Sequence, residues 1–90
     1  MSTTKIANNH WIIWGCDGCY LKSYNSIVAL IDRNDDIFLH KYVWDISATT
    51  LKYLKRFIEI ETGEIIVSKK QILDKISSGE YKVVDMLVVE

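Results

Sequence analysis

Cys16-Asp17-Gly18-Cys19 is the motif with the clearest chemical potential. Its spacing brings two sulfurs together across one turn, which suits a redox disulfide or half of a zinc site. A dithiol site of the thioredoxin kind needs a helix directly after the motif, whereas here a β-type run follows. A zinc site needs two more ligands, and His10 and His40 are the only histidines to supply them. No second tight pair of ligands exists, so the simpler reading is two small, partly buried cysteines at a β-turn. His40 is then one strand residue among apolar neighbours. No metal and no cofactor are expected.

Other catalytic patterns are missing. There is no glycine-rich phosphate loop and no His-Glu-x-x-His pair. Asp32, Asp35 and Asp36 lack the alternation and closing glutamate of a calcium loop, so they read as solvated turn carboxylates. Ser47 and Ser68 are better explained as helix caps than as nucleophiles. The chain is therefore expected not to be an enzyme.

Recognition is the remaining chemistry. Trp11, Trp14, Tyr20, Tyr24, Tyr42 and Trp44 all fall in the first half. Large aromatics either fill the core of a small domain or, gathered on an exposed sheet face, form an interaction patch. Bases can also stack on such a face. Lys52, Lys55 and Arg56, with Lys69 and Lys70, could meet phosphate, although Glu59 and Glu61 dilute that charge.

The elements that position these residues follow from periodicity and caps. Ninety residues make one domain, 1–90, with residues 1–9 taken as a flexible lead. Hydrophobic residues at 49% suffice for one core, and 26% charged residues argue against disorder. Net charge is −1, which gives no whole-chain signature of a nucleic-acid binder. There is no apolar run long enough to cross a membrane, and residues 1–10 lack the apolar core of a signal peptide. The expected compartment is the cytoplasm.

His10–Trp14, Tyr20–Asp32 and Ile37–Trp44 read as a three-stranded meander. Ser47 caps a first helix, with Ile46 and Leu51 as its staple and Leu51, Leu54, Phe57 and Ile58 as its apolar stripe. Gly63 stops it. Ser68 and Gln71 form a capping box for a second helix, whose Ile72, Leu73 and Ile76 face inward before Gly79. Glu64–Val67 is a candidate short strand, and Tyr81–Val89 a terminal one. The fold class is α+β: an antiparallel sheet of β-meander plus C-terminal strand, with two helices packed on one face, in the order βββα(β)αβ.

Ser23-Tyr24-Asn25-Ser26-Ile27-Val28-Ala29, Trp44-Asp45, Ser47 with Thr49-Thr50, Lys52-Tyr53-Leu54 with Phe57, and Ser68-Lys69-Lys70 cover about half of the chain. This pattern resembles small uncharacterised proteins of phages and mobile elements of low-GC Gram-positive bacteria. The usual pattern has an aromatic residue before the serine, where this chain has Ile46. The resemblance implies an accessory protein that acts by binding something in the host.

The resulting expectation is a non-catalytic protein-binding module in the host cytoplasm. It would modulate or inhibit a host protein, such as one in defence or nucleic-acid processing, and a homodimer is a companion idea. One alternative is nucleic-acid binding through sheet aromatics and helix-one lysines. Another is a zinc or dithiol protein built on Cys16 and Cys19.

Overall fold

The computed structural model describes residues 2–89. Its strands are β1 (Ser2–Ala7), β2 (His10–Trp14), β3 (Gly18–Ser23), β4 (Ser26–Asp32) and β5 (Ile37–His40). Helices α1 (Ala48–Thr62) and α2 (Lys69–Ser77) follow, then β6 (Tyr81–Val84). All six strands form one sheet in sequence order. The first four pairings are antiparallel, and β6 joins β5 in parallel after the two helices. The α+β class, with a meander, two helices and a closing strand, is as the sequence implies.

Three details differ, each for a local reason. The lead of residues 1–9 contains β1, an edge strand with exposed Ser2, Thr3, Thr4 and Lys5. An edge strand needs no apolar face, so hydrophobic alternation could not reveal it. Tyr20–Asp32 is two strands and not one. Tyr24 turns the chain at φ 55, and its N–H donates to the Asn9 carbonyl at 2.7 Å, tying this hairpin to the one before. Left-handed backbone at a tyrosine is uncommon, so no turn residue announced it.

The third difference concerns strand ends. β5 stops at His40, because Val43 and Trp44 both turn their N–H groups back to its carbonyl. Glu64–Val67 is not a strand. There the Gln71 side chain accepts from the Val67 N–H and donates to the Ile65 carbonyl, so a side chain does the work of a strand partner. The last strand ends at Val84, well before Val89.

The helices begin as their caps dictate. Ser47 Oγ accepts from Thr50 N at 3.0 Å, and Gly63, at φ 79, donates its N–H to the Glu59 carbonyl. Ser68 Oγ accepts from Gln71 N. Leu54, Phe57 and Ile58 are fully buried and Leu51 half-buried, as the stripe requires. The staple residue Ile46 stays 68% exposed, and Leu73 faces outward at 45%.

Register sorts the sheet into two faces, because successive side chains point to opposite sides. One row runs Ile12, Leu21, Ala29 and Leu39 across β2 to β5, and another runs Cys19, Ile31, Ile37 and Tyr81 across β3 to β6. Both rows belong to one buried cluster with Leu54, Phe57, Ile58 and Ile72 of the helices, together with Trp44 and Ile66. Both helices therefore cover the same face.

Candidate interaction surface

The opposite face carries a third row. Thr3 pairs with Ile13, Ile13 with Tyr20, Tyr20 with Leu30, Leu30 with Phe38, and Phe38 with Lys82. At about 4.8 Å per strand this row crosses the sheet over roughly 24 Å. Beside it, Lys5, Trp11, Lys22 and Ile27 are register partners on β1 to β4. None of these residues belongs to the helix-side cluster. Trp11, Ile13, Leu30 and Phe38 are half-buried, while Tyr20 at their centre is only 1% exposed.

Lysines frame the apolar centre. Lys22 Nζ stands 5.4 Å from the Trp11 ring centroid, and Lys82 Nζ stands 5.4 Å from the Phe38 ring. Such a cation held over a ring shields the ring partly and leaves its own charge in solvent. The Asp32 and Asp36 carboxylates lie at the β4–β5 corner. There Asp32 accepts from the N–H groups of Asn34 and Asp36, and Asp36 approaches Lys82 at 3.8 Å.

Of the six aromatics singled out from sequence, Trp11 and Tyr20 meet on this face. Trp44 is 5% exposed and part of the helix-side core, with Lys69 over its ring. Trp14 pairs with Cys19 on the helix side and is 36% exposed at the strand end. Tyr24 and Tyr42 are exposed residues of two turns, flanking His10 and His40 respectively. The face is completed by Ile13, Leu30 and Phe38, which were not singled out. The signal for them was the alternation itself. Once Cys19 and Leu21 point to the helices, Tyr20 and its cross-strand partners must point away.

The four candidate metal ligands are not gathered. His10 is 1% exposed, and both ring nitrogens are engaged. Nδ1 donates to the Asn8 carbonyl at 2.7 Å, Nε2 accepts from Ser23 Oγ at 3.0 Å, and the ring stacks against Tyr53. His40 lies on the open side of β5, and its Nδ1 accepts from the Tyr42 N–H. Cys16 is exposed in the β2–β3 turn, while Cys19 points to the core on the helix side. Among the described residues, no group of three or more His, Cys, Asp or Glu is placed to hold a metal ion.

The two thiols also differ in reactivity. Burial, followed by the nearby Glu61 carboxylate, pushes Cys19 up to about 12. A thiol attacks as its thiolate, so Cys19 is inert at neutral pH. A thiol reagent is expected to label one cysteine per chain rapidly, namely Cys16. The second should react only on unfolding. Equal rates for both would restore the dithiol alternative.

A cavity of about 410 Å³ opens where the end of α1 meets the start of β6. Asp35, Glu61, Glu64, Glu80 and Tyr81 line it. Lys75 bridges Glu64 at 2.7 Å and Glu80, and the Tyr81 hydroxyl donates to Glu64 at 2.7 Å. The Lys75 ammonium, and next the Tyr81 hydroxyl, hold the Glu64 carboxyl below its usual range. A depressed carboxyl adds stability above its unfolded pKa and loses it as pH falls. Glu64→Gln is therefore expected to lower the urea midpoint at neutral pH, with the gap closing towards about pH 3. An equal gap at both pH values would show that hydrogen bonding, and not charge, holds this corner.

Residues 1–75 fit the family of unknown function DUF8033. Neither a curated protein nor a solved structure matches the chain.

Proposed function

The chain belongs to the family of unknown function DUF8033, and from that premise we propose that it is a non-catalytic protein-binding module. Its working surface is the sheet face opposite the helices. It acts as an accessory protein of phage or mobile-element type, in the host cytoplasm, by attaching to a host protein and modulating or inhibiting it. The observation that carries this reading is the row Ile13, Leu30 and Phe38, with Trp11 beside it, half-buried on the face away from the helices around a buried Tyr20. An apolar and aromatic patch with a polar rim matches the anatomy of protein interfaces, where Trp and Tyr anchor affinity. No helix of the described residues is long and apolar enough to cross a membrane.

Nucleic-acid binding draws less support. That alternative joined the sheet aromatics to Lys52, Lys55 and Arg56. These belong to α1, which packs on the other side of the sheet. The aliphatic residues Ile13 and Leu30 between the rings offer a base little to stack on.

The test is affinity capture from a nuclease-treated low-GC Gram-positive lysate, with mass spectrometry as readout. The variants are Trp11→Ser with Phe38→Ser, and Leu73→Ser, an exposed residue of α2 on the helix side, as a control away from the face. The expected result is a host protein held by the wild-type chain and by the control, and lost from the double variant while its melting profile stays cooperative. Retention by all three would remove the face from the reading. Partners that vanish on nuclease treatment would put nucleic acid first.

A further inference from the structure

A groove of about 380 Å³ runs along the outside of α1, on the helix side of the molecule. Lys52, Lys55, Arg56, Glu59, Ile60 and Ile66 line it. Lys52, Lys55 and Arg56 make no ion pair among the described residues, although every lysine of α2 has one. Lys52 sits over the Tyr53 ring, and Ile60 is 52% exposed. The groove thus joins three uncommitted cations and one carboxylate to an apolar strip.

The acidic corner described above has the opposite character. Four carboxylates face that cavity, and Lys75 is the cation that ties two of them, Glu64 and Glu80. Asp35 and Glu61 make no ion pair among the described residues. One chain therefore carries a basic groove and an acidic cavity, of about 380 and about 410 Å³. Its net charge of −1 leaves little long-range repulsion between copies.

We propose that the α1 groove docks the acidic corner of a second copy of this chain. Lys52, Lys55 and Arg56 of one copy face Asp35, Glu61 and Glu80 of the next, and Ile60 with Ile66 covers the apolar part of the contact. Groove and corner are different patches; joined head-to-tail, two copies leave one groove and one corner free for further copies. The contact rests on exposed charges, so the association is weak and depends on salt. It leaves the sheet face uncovered. A string of copies displays that face several times, which raises avidity for a multivalent partner without any new contact.

Sedimentation velocity on the full chain tests this at about 0.05 M and about 0.5 M salt, where screening differs strongly. The sedimentation coefficient is expected to rise with concentration at low salt and to stay at the monomer value at high salt. Lys52→Glu with Arg56→Glu removes the groove, and Glu61→Lys with Glu80→Lys removes the corner. Each variant alone is expected to remain monomeric at low salt. Mixed in equal amounts they should associate again and grow with concentration, because the unaltered groove meets the unaltered corner and the two reversed patches are complementary to each other. Growth past two copies is the signature of a head-to-tail contact, and a symmetric dimer would stop at two.

A wild-type chain that stays monomeric at low salt overturns the proposal. So does a mixture that stays monomeric, or self-association that survives in both variants, which would assign it to the sheet face. Circular dichroism melting checks that the variants fold. Should one fail, Lys52→Gln with Arg56→Gln, or Glu61→Gln with Glu80→Gln, is the milder replacement, with loss of the wild-type concentration dependence as the expected result. None of these substitutions touches the sheet face, so capture of a host protein can succeed or fail independently.

Discussion

Phe57→Ala is expected to destabilise the fold by about 3–5 kcal/mol, since it removes a large buried ring and leaves a cavity behind. Phe57 is 0% exposed and sits on α1 between Leu54 and Ile58, also at 0%. It joins α1 to the core rows of the sheet and to Ile72 of α2. A 90-residue domain holds only roughly 5–13 kcal/mol in total, so this one change would remove a large share. The measurement is the urea midpoint, compared at an unchanged slope with denaturant. A loss under about 1 kcal/mol would mean that the helix packs less tightly on the sheet than this burial implies.

Gly18→Ala is expected to be nearly as damaging, for a different reason. Gly18 opens β3 at φ 144, opposite Asp32 of β4. A Cβ there would lie 2.2 Å from the Ile31 carbonyl oxygen and 2.7 Å from the Asp32 Cα, both backbone atoms. Backbone cannot swing aside as a side chain can, so β3 and β4 would have to separate. The expected cost is about 4 kcal/mol, the range of overpacking added to backbone strain. Gly79→Ala is the control. Its φ is 83, but nothing lies within 4 Å of the added carbon, so only the conformational penalty of about 1 kcal/mol applies. Similar losses at the two sites would show that φ, and not crowding against β4, governs Gly18.

How much of this was legible depends on the kind of signal each element carries. The helices announced themselves, because Ser47 and Ser68 serve as caps in sequence and in space, and Leu54, Phe57 and Ile58 keep one stripe. The meander was legible as a type but not in its strand count. β1 is polar on the outside of the sheet, and the β3–β4 turn uses Tyr24-Asn25 in place of glycine. The parallel placement of β6 depends on the two intervening helices, which no local pattern encodes.

The interaction surface was half visible. Trp11 and Tyr20 drew attention as large aromatics, but Trp44 drew it equally and lies in the core. Residue type cannot separate these cases. Register can, and register required the strand boundary at Tyr24 that the sequence concealed. The groove and acidic corner were harder still. Lys52, Lys55 and Arg56 looked like an ordinary solvated helix face. Asp35, Glu61, Glu64 and Glu80 are scattered over a turn, a helix end and a strand start, and meet only in the folded chain.

The placing of β6 has a bearing on the order of folding. The pairings among β1 to β5 join strands that follow one another directly in sequence, so those contacts close short loops and form early. β6 must wait for both helices, because its partners Ile37 to His40 precede them and Tyr81 to Val84 follow them. Until it docks, β5 is a bare edge of apolar residues, Ile37, Phe38 and Leu39. An intermediate of this kind is the species most open to pairing with another chain. The slowest event in folding and the greatest risk of aggregation thus fall on the same four residues of β5.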